Sequence, residues 1–174
     1  GLAQGFRNIS SIREEGVRFA ELLHHVALVD PSLRVRFTSP HPKDFPDDVL
    51  HVVAHHNNIC KSLHMPAQSG SSEVLERMRR GYSREAYMGL IERVREVVKG
   101  CAISSDFITG FCGETEEDHL QSLSLMRLVR FDMAYMFAYS MRERTHAHRT
   151  LSDDVPDDVK GRRLREMTEL FYSD

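Results

Sequence analysis

With 174 residues, 28% of them charged and 41% hydrophobic, and a formal net charge of -3, the chain has the balance of one ordinary globular domain. This excludes a disordered tail, removes any bulk electrostatic case for nucleic acid, and leaves too few residues for a complete eight-unit α/β barrel. No apolar run approaches the ~20 residues of a membrane-spanning helix, so no membrane partner is expected. The first stretch, "GLAQGFRNISSIREEG", lacks the continuous apolar segment of a secretory signal. Cys60, Cys101 and Cys112 are odd in number and widely spaced, which argues for a reducing compartment and against a disulfide framework or a cysteine-based metal site.

In chain order, helix spacing comes first: Phe19, Leu22, Leu23, Val26 and Val29, closed by Asp30-Pro31. A strand is expected over "LRVRFTS", Leu33 to Ser39, where apolar and basic residues alternate. Pro46 opens a helix carrying Val49, Leu50 and Val53, which Asn57-Asn58 closes. A second strand, "ICKSLHM", covers Ile59 to Met65. Helical spacing returns in Val74, Leu75 and Met78, and again after Gly81 in Tyr87, Leu90, Ile91, Val94 and Val98, with Gly100 as the stop. The third strand is Ala102 to Thr109. Thr115 with Asp118 has the pattern of a capping box for a helix bearing Leu120, Leu123 and Met126. A fourth strand, "MAYMFAYS", runs from Met133 to Ser140, and Pro156 opens a last helix with Leu164, Met167, Leu170 and Phe171.

Strand and helix thus alternate about four times, the pattern of a parallel sheet built from crossovers. A sheet covered by helices on both faces is apolar on both. Here Arg34 and Arg36, Ser62 and His64, and Ser104 and Asp106 fall on one face of successive strands, while Leu33, Val35 and Phe37 fall on the other. A polar face suits an arc of barrel whose lumen holds a ligand, with Asp106 and an arginine from across the lumen satisfying each other. A buried structural ion pair is the alternative. In such folds the ligand lies at the carboxyl ends of the strands, here "TSPHP", "PAQSGS", "GFCGET" and "YSMRERT". Their hydroxyls, amide, glycines and arginine suit a polar organic ligand and offer no paired carboxylates or Ser-His-Asp order from which to name a catalytic residue.

The turn "SSDFITGFCGETEEDH", Ser104 to His119, resembles a phosphate cradle only superficially. Glu114, Glu116, Glu117 and Asp118 complement the dipole at the helix start and would repel a phosphate there. The basic stretches "RMRRGYSR", Arg77 to Arg84, and "GRRLR", Gly161 to Arg165, read more simply as solvated helix faces than as phosphate sites. His51 and His55 lie one turn apart, but no glutamate stands between them and no third ligand is evident, so an exposed helix face is expected there and no metal site. His41 in "SPHP" reads as a structural hydrogen-bonding residue.

Taken in order, "RFTSPHPKDF", "LHMPAQSGSSEVLERMRRGYSREAY", "SSDFITGFCGETEEDH" and "FAYSMRERTHA" resemble the radical S-adenosylmethionine domain of the tRNA methylthiotransferases of the MiaB family, in its eukaryotic, mitochondrial-type branch. The resemblance runs from about Val17 onward. It implies an α/β fold that is a partial parallel barrel, the later strands of a (β/α)6 radical barrel, with residues 1–174 forming one incomplete core domain. It implies a parent enzyme that adds a methylthio group to C2 of N6-isopentenyladenosine beside the tRNA anticodon, using S-adenosylmethionine and two 4Fe-4S clusters. The family holds its radical-generating cluster in a C-x-x-x-C-x-x-C loop, with further cysteines upstream; none of these is in this sequence, so the chain alone is expected to be inactive. An open parallel edge would also leave it marginally stable or prone to associate.

By the same resemblance, Gln68 and Ser69 match a Gln-Ser-Gly-Ser motif that reaches S-adenosylmethionine, although a helix-capping turn at Ser71 is compatible with the same residues. Asp106, Ile108 and Gly110 match the strand and turn that lie along the adenosine. Tyr139, Ser140 and Arg142 match the last rim motif, where Arg142 faces either the cofactor carboxylate, a tRNA phosphate or a surface partner. The sequence departs from the family at Cys112 and Met141, where proline is usual, and at Glu143-Arg144, where Pro-Gly is usual. Two other readings stay open: an interaction module that keeps the fold, and a small α/β-barrel enzyme for a polar metabolite with Asp106 or His64 as acid or base.

Overall fold

Apolar residues at helical spacing close α1 (Phe19–Val29) onto α2 (Asp47–His55), with Ala20, Leu23 and Ala27 facing Val49, Leu50, Val52 and Val53 in one continuous core. Asp30 ends α1 in an extended conformation, and Pro46 stands at the start of α2. This computed structural model describes residues 17–38, 41–42 and 45–173. Three parallel strands follow in the order β1-β2-β3: β1 (Ser62–His64), β2 (Ala102–Thr109) and β3 (Met133–Ala138). Parallel strands need crossovers, and helices supply them. Between β1 and β2 lie α3 (Ser72–Arg77) and α4 (Arg84–Val97), and between β2 and β3 lies α5 (Glu116–Val129). Beyond β3 come a short α6 (His146–Thr150) and the long α7 (Asp157–Ser173).

The capping residues act as their types dictate. Ser71, Ser83 and Thr145 accept backbone N–H groups at the starts of α3, α4 and α6. Thr115 and Asp118 form the reciprocal capping box expected of them at the start of α5.

One face of β2 is closed. Ile103, Ser105, Phe107 and Thr109 are buried against the helices, with Leu125, Met126 and Val129 of α5 in the same core. Removing a phenylalanine such as Phe107 from water stabilises the fold by roughly 2–3 kcal/mol. Ser105 is tolerated on this dry face because its hydroxyl accepts the N–H of Ala67 at 2.9 Å.

The expected first strand is corrected by the structure. Between Leu33 and Thr38 there is no strand, only a parallel bridge of Val35 to Ile59, while Ser39 lies outside the described residues. Val35 donates to Asn58 and accepts from Cys60, each at 2.9 Å, after which the chains part. Alternation alone marks which residues are able to pair, and the ladder needs a partner of matching path. For the same reason the expected strand Ile59 to Met65 is regular only over Ser62–His64, and the last strand ends at Ala138. Helix α6 was not legible as a helix.

Candidate functional site

Alternation along β2 sends Ser104, Asp106 and Ile108 to the face that the helices do not cover. On either side stand His64 of β1, in register with Ser104, and Met133, Tyr135 and Phe137 of β3, in register with Ser104, Asp106 and Ile108. These three β3 side chains are 46%, 51% and 54% exposed, a strip of one methionine and two aromatic rings on the same face as a carboxylate. A polar open face was expected, but the partner of Asp106 is different: Asp106 Oδ2 is 3.3 Å from His64 Nε2, and no arginine pairs with Asp106 among the described residues. His64 Nδ1 is in turn 2.9 Å from Ser104 Oγ. A carboxylate only accepts, so the proton on Nε2 faces Asp106 and Nδ1 accepts from the Ser104 hydroxyl. Both ring nitrogens are thereby used. Asp106 Oδ1 makes no hydrogen bond among the described residues and is open to a donor, and His64 holds the carboxylate in place.

The strand ends bring Gln68, Asp106 and Ile108 together. Gln68 donates its N–H to the Asp106 carbonyl at 2.8 Å and accepts from Ile108 at 2.9 Å. Its backbone is left-handed, with φ +68°, a conformation that costs a non-glycine residue about 1 kcal/mol. Its side chain is nearly buried, and the amide makes no hydrogen bond to the described residues, so it remains available to a ligand. Ser69 is differently placed: 1% exposed, its hydroxyl contacts Ser122 Oγ at 3.2 Å and accepts from the Ser71 N–H at 3.1 Å. Tyr139 packs edge-on to Phe111 at 4.8 Å, below the ammonium of Lys160 at 5.7 Å, in a small cluster with Val74 and Cys112. Burial pushes the phenol of Tyr139 up to about 12. Ser140 and Arg142 are exposed on the loop before α6, and the carbonyl of Arg142 accepts the Thr145 hydroxyl at 2.7 Å. The eight candidates therefore divide, with Gln68, Asp106 and Ile108 at one locus and the others in packing or on the outer loop.

The turn after β2 is held from inside. Gly110 sits at φ +74°, and a Cβ there would run into the side chain of Lys160 on α7, so the position strongly favours glycine. Its N–H donates to Glu114 Oε1 at 2.8 Å, and Glu114 also receives Arg163 at 2.9 Å; the side chains of that pair are 2% and 5% exposed. Burial pushes the Glu114 carboxyl up, opposed by Gly110 and Arg163. Burial also pushes Asp118 up, but hydrogen bonds from Ser71, Thr115 and Arg77 outweigh it and leave the carboxyl lowered. Glu114, Glu116 and Asp118 are thus taken up by partners within the fold, while Glu117 is exposed.

Sequence reasoning did not find the Ser104-His64-Asp106 chain, although the alternation placed all three on one face; the register of His64 with Ser104 is what joins them. The stretch from Arg77 to Arg84 reads in sequence as a solvated helix face, and the structure has Arg77, Arg79 and Arg80 lining a pocket of about 210 Å³ between the end of α3, Ile108 and the start of α6. His41 stacks edge-on to Tyr82 at 5.6 Å, and His55 to His56 at 4.9 Å. Among the described residues no three His, Cys, Asp or Glu side chains are arranged to hold a metal ion, and all three cysteines are free.

Comparison with known proteins gives this geometry a family. The profile of the Radical SAM superfamily matches residues 9–126. The chain is 58% identical over 170 residues to the mitochondrial tRNA methylthiotransferase CDK5RAP1 of Homo sapiens, covering 98% of this chain and 28% of that protein. It is 51% identical over 176 aligned positions to the tRNA-2-methylthio-N(6)-dimethylallyladenosine synthase of Prosthecochloris aestuarii, covering 96% of this chain and 40% of that one. The chain thus spans well under half the length of these relatives. Among solved structures, the coproporphyrinogen III oxidase HemN of Escherichia coli, a radical SAM enzyme, superposes with a TM-score of 0.70 over 90% of this chain and 37% of its own at 19% identity, which speaks for the fold alone. With its parallel α/β arc and a family match across more than half its length, the chain belongs to the radical SAM superfamily.

Proposed function

We propose that this chain is part of a mitochondrial tRNA methylthiotransferase that modifies C2 of N6-isopentenyladenosine beside the anticodon, and that its open sheet face binds S-adenosylmethionine and the target base. The observation that carries the reading is the 58% identity, over 98% of the chain, to a protein named as a mitochondrial tRNA methylthiotransferase. The donor set on the open face supports it. Asp106 Oδ1 accepts from the ribose hydroxyls or the amine of an adenosine-containing ligand, the Gln68 amide both donates and accepts, and Ile108 with Phe137 supplies an apolar wall for a purine ring. When bound, S-adenosylmethionine supplies the radical and the methyl group. Tyr135 and Phe137 are exposed π-faces able to stack an unpaired base, which is how single-stranded RNA is commonly held.

The described residues do not fit an iron–sulfur cluster. In the parent enzyme the two 4Fe-4S clusters are assigned to cysteines that are not in this sequence. The contribution of this chain is to orient. His64 positions Asp106, the Glu114-Arg163 pair positions the turn after β2, and the strip on β3 excludes water from one side of the base. Mass spectrometry of mitochondrial tRNA from cells lacking the gene tests the reading. Loss of the methylthio group with retention of the isopentenyl group is expected, and unchanged tRNA would overturn it.

A further inference from the structure

We propose that Tyr82 is a positioning residue for the ligand site: its phenol locks the turn after β1, so that Gln68 keeps the left-handed backbone that aims its amide at S-adenosylmethionine. The proposal rests on the reading of the open face as the site of that ligand. Its evidence is where the backbone hydrogen bonds of Met65 to Gln68 go.

A strand end that runs on past its ladder leaves polar groups that must each find a partner. Beyond β1, the neighbouring β2 serves the N–H groups. Met65 donates to the Ser104 carbonyl at 2.7 Å, Ala67 to Ser105 Oγ at 2.9 Å and Gln68 to the Asp106 carbonyl at 2.8 Å. Pro66 has no N–H to serve. The carbonyls of Met65, Pro66 and Ala67 are met by tyrosines from further along the chain. Tyr87 of α4 donates to Met65 at 2.7 Å, and Tyr82, in the loop before α4, shares its one proton between Pro66 at 3.2 Å and Ala67 at 3.1 Å. The Gln68 carbonyl returns to the sheet by accepting from Ile108 at 2.9 Å.

The two phenols are not equivalent. A peptide unit is planar, so the carbonyl of one residue and the N–H of the next turn together. The unit joining Ala67 to Gln68 is held at its oxygen by Tyr82 and at its nitrogen by the Asp106 carbonyl; the unit before it is held at its oxygen by Tyr82 and at its nitrogen by Ser105. Rotation of the Ala67–Gln68 plane is the motion that would carry Gln68 from φ +68° into the ordinary region of negative φ. Such a change swings the Cα–Cβ bond, and the amide with it, out of its present direction. Tyr82 opposes this at the oxygen end. Tyr87 does not, because the unit that it touches lies further upstream and ends in the nitrogen of Pro66.

The phenol is itself held. Its ring stacks on Tyr87 at 6.2 Å with 30° between the planes, and His41 meets it edge-on at 5.6 Å. Burial pushes the Tyr82 phenol up to about 12, against the pull of Arg80, so the donor keeps its proton at physiological pH. From the same loop Arg84 binds the Gly70 carbonyl at 2.9 Å, and a side chain at Gly70 would run into the backbone of Gln121 and Ser122 on α5. The turn is therefore gripped on both sides of Gln68 and pressed against α5.

The test is equilibrium dialysis of the full chain against S-adenosylmethionine for Tyr82→Phe, Gln68→Ala, the two combined, and Tyr87→Phe. Tyr82→Phe keeps the ring and removes only the shared proton. It is expected to weaken binding about fivefold, Gln68→Ala about tenfold, and the double variant no more than Gln68→Ala alone, because without the amide there is nothing left to aim. Tyr87→Phe takes a buried phenol from the same turn; it is expected to lower the melting midpoint and to leave binding within about twofold of the parent. Thermal melts establish that each variant is folded at the dialysis temperature. Losses that multiply in the double variant overturn the proposal, since Tyr82 then acts other than through Gln68. So does unchanged binding in Tyr82→Phe beside a loss in Gln68→Ala, which shows that the turn holds without the phenol and leaves the functional reading standing. An equal loss in Tyr87→Phe reduces the effect to stability, and unchanged binding in Gln68→Ala removes the amide from the site; either result sinks the role of Tyr82 alone. Absence of binding by the parent chain overturns the reading of the face along with the proposal, whereas the tRNA analysis above judges the activity independently.

Discussion

The two faces of β2 obey opposite rules although their residues alternate one by one. Ile103, Ser105, Phe107 and Thr109 face helices and are at most 1% exposed, and every polar atom there has a partner within the fold. Ser104, Asp106 and Ile108 face outward beside the exposed strip of β3, and their polar atoms are only half satisfied. The difference teaches where stability and function separate: the dry face fixes the register that presents the wet one. Substitutions on the dry face should therefore unfold the chain, whereas those on the wet face should change what it binds.

The largest effect is expected at Phe107. Truncation to Ala leaves a cavity against Phe131, whose ring lies 5.6 Å away, and costs about 3–5 kcal/mol in chemical denaturation. Retention of stability within about 1 kcal/mol would mean that this face is not the closed core described. Gly110→Ala comes next. The new Cβ runs into the side chain of Lys160 and the backbone is left-handed, so a loss of roughly 2–3 kcal/mol is expected, together with looser protection of the Glu114 turn in hydrogen exchange. The flexible stem of Lys160 allows some relief. Gly110→Ala combined with Lys160→Ala should recover part of the loss, and no recovery would assign the whole cost to the backbone.

Much of this division was readable in the sequence, because it follows from local rules. The end of α1 at Asp30-Pro31, the span of β2 and the capping box of Thr115 with Asp118 are each set by residues within a turn of one another. What was not readable depends on distant partners. The stretch from Leu33 alternates like a strand yet makes one bridge, because pairing needs a neighbour on the same path. Arg77 and Arg163 find carboxylates 41 and 49 residues away, and no pattern in either arginine-rich stretch separates them from Arg79 and Arg80, which find none. The partner of Asp106 was expected to be an arginine and is His64, since the β1-β2 register decides which side chain reaches it.

A smaller effect tests whether the helical side is as dry as it looks. Burial lowers His119 on α5 below the ordinary histidine value of 6.5, against the pull of its hydrogen bond from Nε2 to Glu166 at 2.9 Å and of the Glu116 charge, with Arg163 adding to the lowering. Burial likewise lowers His56 at the end of α2, with His24 and His55 adding to it. A histidine with a depressed folded value takes up its proton more readily when unfolded, so below about 6.5 stability falls as pH falls. Thermal melts from pH 7.5 down to pH 5.5, both approximate limits around that value, should show a declining midpoint, and His119→Gln should flatten the decline. A flat profile in the parent chain would place His119 in contact with water.

The smallest effect on stability is expected at Asp106, and there the comparison is sharpest. Its contact with His64 is 3.3 Å long between side chains 28% and 20% exposed, a geometry worth no more than about 1 kcal/mol. Asp106→Asn keeps the shape and still accepts the proton on His64 Nε2, so the melting curve should barely move. Ligand binding should respond differently, because the substitution removes a charge and one acceptor from the open face. We expect weaker S-adenosylmethionine binding for Asp106→Asn and a similar loss for His64→Gln, with the double variant losing less than the two combined, since His64 acts by holding Asp106. Additive losses in equilibrium dialysis would show that His64 meets the ligand itself. A large fall in stability for Asp106→Asn would erase the distinction between the faces, making the pair a structural tie that happens to be open to solvent.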